Sequence, residues 1–256
     1  MEKKQGSNFK FSPDLYDGQV NWENRFLAEK AFFYGIFKSK TAKKILDIGC
    51  GPGRHAQLFS SFVDEVYAMD PSQDMIDYAK EKVITSENVK LITGGFSELA
   101  NIREGDFDVI TCLGNTLPIL ETRKKVKNAL KITRKKLKKG GIAIFQFINF
   151  EKEMIEKNRY YEPKILHKES RTYIFNRHFE YDKLKTRVDF ISTVLNDKND
   201  IEAFNIDTTM MCTLKIRIFQ KMALNSGFKK IDYFGNNTKE SFDKNRHVSL
   251  FAILRT

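Results

Sequence analysis

The chain has 256 residues, of which 41% are hydrophobic and 12% aromatic, enough for a buried core in one large α/β domain or one domain with an insertion. No run approaches the roughly 20 apolar residues of a membrane span, and the polar start from Met1 to Pro13 lacks a signal-peptide segment. Three separated cysteines without a C-x-x-C pair exclude a zinc knuckle and predict neither a disulfide framework nor a metal site, which favours a reducing cytoplasm.

The first predicted helix runs from about Trp22 to Lys38 after an opening loop. Its aromatic face is typical of core packing.

A glycine-dense turn then follows the first predicted strand, in the run KKILDIGCGPGRH. Gly49, Gly51 and Gly53 permit a tight reversal of the chain and the close approach of a ligand to the backbone. The helix that begins near Gly53 directs free N–H groups toward the same space, so the turn predicts a nucleotide-binding site.

Two acidic residues narrow the choice of ligand. The glycine spacing is G-x-G-x-G and not the G-x-G-x-x-G of dinucleotide-binding proteins, and Asp47, two residues before Gly49, repels a pyrophosphate but suits an ammonium group. Asp70 follows the strand-like run Glu65 to Met69 and lies 21 residues beyond Gly49, where an acid that binds ribose hydroxyls is expected. The alternative is a structural turn in which Asp70 only precedes the helix that starts after Pro71.

The runs LDIGCGPG and YAMDPSQDMIDYA together resemble the class I S-adenosylmethionine-dependent methyltransferases. The resemblance implies an α/β fold with a Rossmann-like, doubly wound sheet of seven strands, the last of them antiparallel. It also implies S-adenosylmethionine as the cofactor and S-adenosylhomocysteine as its product, with the turn around the methionine portion and the acid after strand two on the ribose. The predicted cofactor-binding residues are Asp47, Gly49, Cys50, Gly51, Arg54, Asp70, Pro71, Met75, Gly95, Phe96 and Leu113.

The third strand, Val89 to Thr93, ends where the family often has an acid that bonds the adenine amino group. Gly95 occupies that position, so backbone groups near Phe96 are expected to hold adenine, with Met75 and Phe96 as apolar walls.

The fourth strand, Phe107 to Cys112, runs into a turn whose CLGN sequence resembles that of glycine and sarcosine N-methyltransferases. The resemblance makes Asn115 the first candidate for an acceptor contact; the alternative is an asparagine that caps a turn.

The net charge of +11 is concentrated in one predicted helix. Ten basic residues and no acidic ones lie between Arg123 and Lys139, which leaves +1 for the rest of the chain. Val126, Ala129, Leu130, Thr133 and Leu137 share one face of that helix. A solvated basic face is the main interpretation, and an acidic partner or nucleic acid is the alternative.

Strand five, Gly141 to Phe147, is followed in the glycine-specific enzymes by an arginine that holds the substrate carboxylate. Ile148 stands there, which counts against free glycine as the acceptor.

Within residues 160–211, three strand-like runs (173–179, 186–194 and 201–211) predict an antiparallel β cover inserted after strand five, similar in plan to that of glycine and nucleotide-sugar N-methyltransferases. The candidates for acceptor recognition in this cover are Arg177, His178, Tyr181 and Arg187, and strand alternation lets only one of the first two face the pocket.

The expected organisation is an N-terminal lid and helix (1–40) and a methyltransferase domain (41–256) that contains the inserted cover. A helix from about Leu214 to Ser226 and two antiparallel strands, Phe228 to Phe234 and His247 to Leu254, complete that domain. In related small-molecule enzymes the N-terminal segment folds over the ligand, which makes Tyr16 a candidate for an acceptor contact, the alternative being simple packing.

The expected reaction is in-line transfer of the methyl group to a small-molecule acceptor, preferentially an amine nitrogen, driven by positioning and desolvation. The catalytic candidates are Asn115, Tyr16 and His178, the last two as bases for a hydroxyl acceptor. The alternatives are an RNA methyltransferase, an O-methyltransferase of a small metabolite, a nicotinamide dehydrogenase and a non-catalytic binding module. The partners considered are the acceptor, nucleic acid as the weaker alternative, and a second copy of the chain, with no membrane.

Overall fold

The computed structural model describes residues 11–103, 105–235 and 240–256. Residues 1–10 of the predicted lid lie outside this range. The strands in the described residues are β1 (Lys44–Ile48), β2 (Glu65–Asp70), β3 (Val89–Thr93), β4 (Phe107–Cys112), β5 (Leu137–Ile148), β6 (Lys164–Lys168), β7 (Arg171–Tyr181), β8 (Lys185–Leu195), β9 (Ile201–Cys212), β10 (Lys230–Gly235) and β11 (Ser249–Arg255).

The helices of the described residues lie between these strands and before them. They are α1 (Pro13–Gly18), α2 (Trp22–Ser39), α3 (Arg54–Ser60), α4 (Gln73–Tyr78), α5 (Arg123–Lys136), α6 (Phe150–Glu156) and α7 (Ile216–Leu224). One turn of π-helix, Ala79–Val83, continues α4.

Seven strands form the main sheet in the order β10-β11-β5-β4-β1-β2-β3. The strands from β1 to β5 pair in parallel, whereas β11 is antiparallel to both β5 and β10. One apolar cluster contains Phe33 and Phe59 from α2 and α3, and a second contains Leu130 and Phe219 from α5 and α7. Helices therefore contribute to the core on both faces, which confirms the predicted doubly wound α/β fold with an antiparallel last strand.

A separate four-stranded antiparallel sheet follows strand five, in the order β6-β7-β8-β9. The predicted cover is confirmed as antiparallel, but two details of its prediction were wrong. It has a fourth strand, β6, whose sequence KILHK does not alternate apolar and polar residues. It also does not extend the main sheet, as an antiparallel patch built out from strand five would, because β5 already pairs with β4 on one side and with β11 on the other.

Two helix boundaries also differ from the prediction. The expected opening loop contains α1, where the Ser12 side chain accepts a hydrogen bond from the Leu15 N–H and Pro13 occupies the first turn, a combination that favours helix initiation. The basic helix ends at Lys136, and Leu137 instead begins β5, where it pairs with Phe107.

The apolar face of α5 buries Val126, Ala129, Leu130 and Thr133, as predicted. The lysines of this helix lie on the solvent side. No helix among the described residues has the length and apolar character needed to cross a bilayer.

Candidate active site

A cavity of about 670 Å³ lies between the carboxyl ends of the central strands and the cover sheet. This is the edge of a doubly wound sheet at which ligands bind, and the volume is typical of a small-molecule site. The glycine turn and the start of α4 contribute Gly49, Gly51, Asp70, Ser72 and Met75. The ends of β4 and β5 contribute Gly114, Asn115, Thr116, Ile119 and Gln146, and the N-terminal segment contributes Tyr16, Val20, Asn21, Arg25 and Glu29.

The inner face of the cover closes the opposite side of the cavity. Its contribution comes from all four strands of the second sheet: Lys164, Arg177, Phe179, Val188, Phe190, Thr209 and Met211. Two cations therefore stand among apolar side chains on this wall, whereas the wall formed by the glycine turn carries the carboxylate of Asp70.

The glycine turn is held against β2 and against the loop after β4. The N–H groups of Gly49 and Cys50 both donate to the Met69 carbonyl oxygen, at 2.7 and 3.0 Å. Gly49 has φ +71°, and a Cβ built on it would lie 2.4 Å from Thr116 Cγ2. Only glycine fits there, because of both the left-handed backbone and the close approach of Thr116.

Asp70 lies at the centre of the wall formed by the turn. Its Oδ2 accepts a hydrogen bond from the Gly51 N–H and its Oδ1 one from the Ser72 N–H, both at 2.9 Å. Burial raises the pKa of this carboxyl, although the two backbone donors oppose the shift. The side chain lines the cavity, and each oxygen has a further lone pair available for a hydroxyl group.

These residues fit an adenosyl ligand. A Cβ built on Gly51 would have Tyr16 as its neighbour, at 3.9 Å, so the space in front of this peptide is open to the cavity. Met75 offers an apolar side chain on the same wall, and Asp70 offers acceptors for vicinal hydroxyls, as the sequence predicted.

Asp47 lies beneath the turn and does not line the cavity. Its side chain is 2% exposed, and its Oδ1 accepts a hydrogen bond of 2.6 Å from the Thr111 hydroxyl. Burial raises the pKa of this carboxyl. The structure therefore places Asp47, a predicted cofactor contact, behind the turn and outside the cavity lining.

Replacing Asp47 by asparagine tests this burial through its pH dependence. Because the folded-state pKa is above the ordinary value of 3.8, the ionised carboxylate destabilises the fold, and this cost appears as the pH rises above 3.8. The free energy of unfolding of Asp47→Asn relative to wild type should therefore increase from pH 4 to pH 7, by about 1.4 kcal/mol for each pKa unit of the shift. Any cost of the new amide group is independent of pH and does not alter the slope.

Urea unfolding at a series of pH values measures this difference. The matched control is Asp64→Asn, at an exposed position before β2, which should show no such trend. A difference that stays flat or shrinks toward pH 7 would contradict the raised pKa of Asp47.

Arg54, a predicted cofactor contact, bonds instead to the N-terminal helix. Its guanidinium meets the buried carboxylate of Asp17 in α1, with 2.5 Å between Nη2 and Oδ2. Tyr78 of α4 donates its hydroxyl to the same carboxylate at 3.0 Å, and burial together with Asp17 raises the pKa of Tyr78 to about 12. These bonds hold α1 on the rim of the cavity, which places Tyr16 in its wall.

The other predicted cofactor residues lie around the cavity and not in its lining. Cys50 and Leu113 are buried in the core beside the turn, and Pro71 is exposed at the start of the loop before α4. The Gly95 N–H donates to Glu98 Oε2 at 2.7 Å.

The expectation that Phe96 forms a wall for adenine was wrong for this cavity. Phe96 is buried in the core cluster that also contains Met69 and Leu99. The backbone after β3 directs this ring into the core beneath the sheet, which leaves Met75 as the predicted apolar contact in the lining.

Asn115 lines the cavity at the end of β4, as the sequence predicted. It has φ +69°, and its Oδ1 accepts a hydrogen bond of 2.8 Å from the Ile148 N–H. Gln146 Oε1 similarly accepts one of 2.6 Å from the Gly114 N–H. The asparagine therefore ties its turn to β5 through its carbonyl oxygen, and its amide nitrogen, a hydrogen-bond donor, is not used in that bond.

His178 does not face the cavity, so its prediction as a catalytic residue was wrong. The neighbouring residues Arg177 and Phe179 line the cavity, and alternation along β7 places His178 on the opposite face of the cover. There its Nδ1 lies 3.2 Å from Asp189 Oδ2, and its ring packs on Tyr160 at a centroid distance of 4.9 Å.

A buried network on α2 adds residues that the sequence analysis missed. Glu29 lines the cavity and lies 2.8 Å from His55 Nε2 and 3.2 Å from Arg25 Nε. Burial opposes ionisation of Glu29, but the bonds and charges of His55 and Arg25 outweigh it and lower the pKa of this carboxyl. The available signal was the i, i+4 spacing of Arg25 and Glu29, which pairs their side chains on one helix face.

Comparison with known proteins agrees with this geometry. Residues 45–141 match the model of a family described as a methyltransferase domain. A glycine/sarcosine N-methyltransferase from Aphanothece halophytica is 26% identical over 139 residues, which are 54% of this chain and 52% of the relative. A demethylmenaquinone methyltransferase from Staphylococcus aureus is 35% identical over 116 residues, 43% of this chain and 45% of the relative.

Solved structures share the fold over nearly the whole chain. An S-adenosylmethionine-dependent methyltransferase from Clostridium acetobutylicum matches with a TM-score of 0.74 and 18% identity, over 94% of both chains. An amino pentose methyltransferase from Micromonospora echinaspora with S-adenosylmethionine bound matches with a TM-score of 0.71 and 18% identity, over 98% of this chain and 100% of the other.

The chain spans about half the length of the curated relatives it matches. Residues 45–141, which match the family model, nevertheless contain the glycine turn, Asp70 and the turn after β4, and the TM-scores show that the chain shares the fold of the solved methyltransferases. Residues 45–141 therefore match a methyltransferase domain, and the chain has the fold of S-adenosylmethionine-dependent methyltransferases.

Proposed function

We propose that this protein transfers a methyl group from S-adenosylmethionine to an amine nitrogen of a small-molecule acceptor. The observation that carries the proposal is one cavity in which the Asp70 carboxylate and the open Gly51 peptide face Asn115 and the cover sheet. The choice of nitrogen is supported by relatives named as glycine/sarcosine N-methyltransferases and by structural neighbours that include a sugar N-methyltransferase.

Each wall of the cavity has a separate task in this proposal. Asp70 accepts hydrogen bonds from the ribose hydroxyls, Gly51 lets the backbone approach the ligand, and Met75 contacts the adenine. The cofactor, when bound, supplies an activated sulfonium methyl group. Asn115 and Tyr16 orient the acceptor from the sheet side and the rim, and holding it at near-attack distance supplies on the order of 7 kcal/mol of the barrier.

The cover sheet makes the acceptor nitrogen available as a nucleophile by excluding water. An amine with a pKa near 10.4 costs about 4 to 5 kcal/mol to present in its neutral form at pH 7. Apolar side chains on the cover, Phe179, Val188 and Phe190, desolvate the ammonium form and lower that pKa. A dedicated base is therefore not required for nitrogen.

An RNA acceptor fits the structure less well. The residues that line the cavity include none from the basic helix α5, so its charge does not lead a polyanion to the methyl-transfer site. The proposal treats the exposed cations of α5 as a solvated helix face.

Incubation with methyl-labelled cofactor and a soluble metabolite extract tests the proposed function. Mass analysis of the extract should identify a nitrogen-containing small molecule that gains the label. Label in added RNA and in no small molecule would contradict the proposal.

Replacing Asn115 by glycine separates its role in the reaction from cofactor binding. Glycine adopts the positive φ of this position but removes the amide group, so we expect turnover to fall at least about tenfold, equivalent to about 1.4 kcal/mol, while affinity for S-adenosylhomocysteine changes less than about threefold. The control is Asn199→Gly, because Asn199 also has positive φ, at +64°, in the turn between β8 and β9. An equal loss of turnover in both variants would contradict an acceptor contact at Asn115.

A further inference from the structure

Two cations on the inner face of the cover have no anionic partner among the described residues. Lys164 on β6 and Arg177 on β7 both line the cavity, and the structure shows neither a hydrogen bond nor an ion pair for either side chain. The other cation in the lining, Arg25, already bonds to Glu29. Lys164 and Arg177 are therefore the cavity cations left to bind a ligand.

Lys164 and Arg177 share the cavity lining with a third cation, Arg25, so like charges lie near one another. Partial burial, and then the charges of Arg177 and Arg25, lower the pKa of Lys164. The Arg177 guanidinium lies over the Phe190 ring, 5.9 Å from its centroid, a contact that holds a planar cation in place. Lys164 and Arg177 have no anionic partner among the described residues to offset their mutual repulsion, and a bound anion would relieve that repulsion.

Lys164 and Arg177 lie on the wall of the cavity opposite the glycine turn, so they would contact the end of the acceptor that is far from the cofactor. The carboxylate of Asp70 lies at the wall formed by the glycine turn, whereas Lys164 and Arg177 stand on the facing wall of the cover. The same two residues also line a neighbouring cavity of about 370 Å³, together with Gln19, Tyr161, Glu162 and Phe175. They therefore stand where the main cavity continues toward a second space, with room for the remainder of an extended molecule.

We propose that the acceptor carries an oxyanion, a carboxylate or a phosphate, that binds between Lys164 and Arg177 and directs the acceptor nitrogen toward Asn115. This inference rests on the proposed methyl transfer. A guanidinium binds both kinds of oxyanion through two parallel N–H groups, and an ammonium group adds a point charge. The pair would replace, from the opposite wall, the arginine that glycine-specific enzymes have where this chain has Ile148.

Oxyanion binding to the protein saturated with S-adenosylhomocysteine tests the proposal. Inorganic phosphate and acetate, titrated separately at constant ionic strength, are the probes, and the variants are Lys164→Met and Arg177→Met. Wild type should bind at least one probe, and each variant should bind that probe at least tenfold more weakly. The control is Lys185→Met, an exposed lysine at the start of β8 outside the lining, which should bind the probe as wild type does.

The two probes distinguish the source of the oxyanion. Preference for phosphate indicates a phosphorylated acceptor, and preference for acetate indicates a carboxylic acid. If neither probe binds wild type more tightly than it binds the two variants, the oxyanion site does not exist.

Affinity for S-adenosylhomocysteine separates this inference from the function on which it rests. It should be the same within about twofold in wild type and all three variants. A parallel loss of cofactor affinity in Lys164→Met and Arg177→Met would assign these cations to the cofactor carboxylate and overturn the acceptor site. Failure of wild type to bind S-adenosylhomocysteine would instead contradict the proposed function itself.

Discussion

Replacing Asp70 by alanine is expected to weaken binding of S-adenosylhomocysteine by at least about 30-fold. Hydrogen bonds to a charged group contribute about 1.5 to 3 kcal/mol, and about 2 kcal/mol corresponds to about 30-fold in affinity. The variant loses the proposed ribose contact. It also removes the carboxylate that accepts hydrogen bonds of 2.9 Å from the Gly51 and Ser72 N–H groups. The glycine turn is therefore held less firmly in the variant.

Isothermal titration calorimetry measures this effect directly. Asp70→Asn keeps one acceptor oxygen and should fall between wild type and the alanine variant. The control is Asp64→Ala, which removes the same charge from an exposed position and should bind as wild type does. Affinity of Asp70→Ala within about threefold of wild type would remove the ribose assignment.

Replacing Gly49 by alanine is expected to cost about 3 kcal/mol of stability and to abolish cofactor binding. A residue with a Cβ pays about 1 to 2 kcal/mol in the left-handed region, and Gly49 has φ +71°. Its Cβ would also stand 2.4 Å from Thr116 Cγ2 and 2.6 Å from Thr116 Oγ1. Forcing such a contact adds about 1 to 3 kcal/mol and displaces the turn that forms the cofactor wall.

A second glycine separates backbone strain from steric overlap. Gly140 has φ +79°, and a Cβ built on it would have no neighbour within 4 Å. Gly140→Ala should therefore cost only the conformational part, about 1 to 2 kcal/mol, in urea unfolding. Adding Thr116→Ala to Gly49→Ala should restore part of the lost stability. Equal costs at the two glycines would show that close packing against Thr116 does not fix the turn.

The central strands of the main sheet were predictable because they are buried on both faces. Such strands read as continuous apolar runs between turn residues, and the bounds of β4, in which every residue is buried, agree with the prediction at both ends. The bounds of the edge strand β3 agree as well, although none of its residues is buried. The glycine turn and Asp70 were predictable as well, because the residues of one strand–turn–helix unit are close together in the sequence.

The cover sheet was less predictable because alternation alone does not say which face of a strand is buried. Arg177 and His178 are adjacent, and the sequence left both as candidates. The decision comes from long-range contacts: the β7 face that carries Arg177 packs toward the main domain, while His178 meets Asp189 on the other face. Lys164 was missed because β6 is a strand only through its pairing with β7.

The network of Arg25, Glu29 and His55 is a second feature that could not be predicted from the sequence. Glu29 and His55 are 26 residues apart and lie on different helices. The aromatic face of α2 predicted core packing correctly, and Phe33 and Phe37 are buried. The same helix also directs a carboxylate into the cavity, and that becomes visible only when α2 and α3 are packed together.

Ligand-dependent melting of the wild-type protein is the most direct test of the nucleotide assignment at the glycine turn. S-adenosylmethionine and S-adenosylhomocysteine, each at about 100 times its Kd, should add about 2.7 kcal/mol of stability, which raises the Tm by about 5 °C or more for a chain of this size. NADH at the same concentration should leave the Tm unchanged. A rise with NADH and none with either adenosyl compound would contradict the methyl-transfer function at its first step.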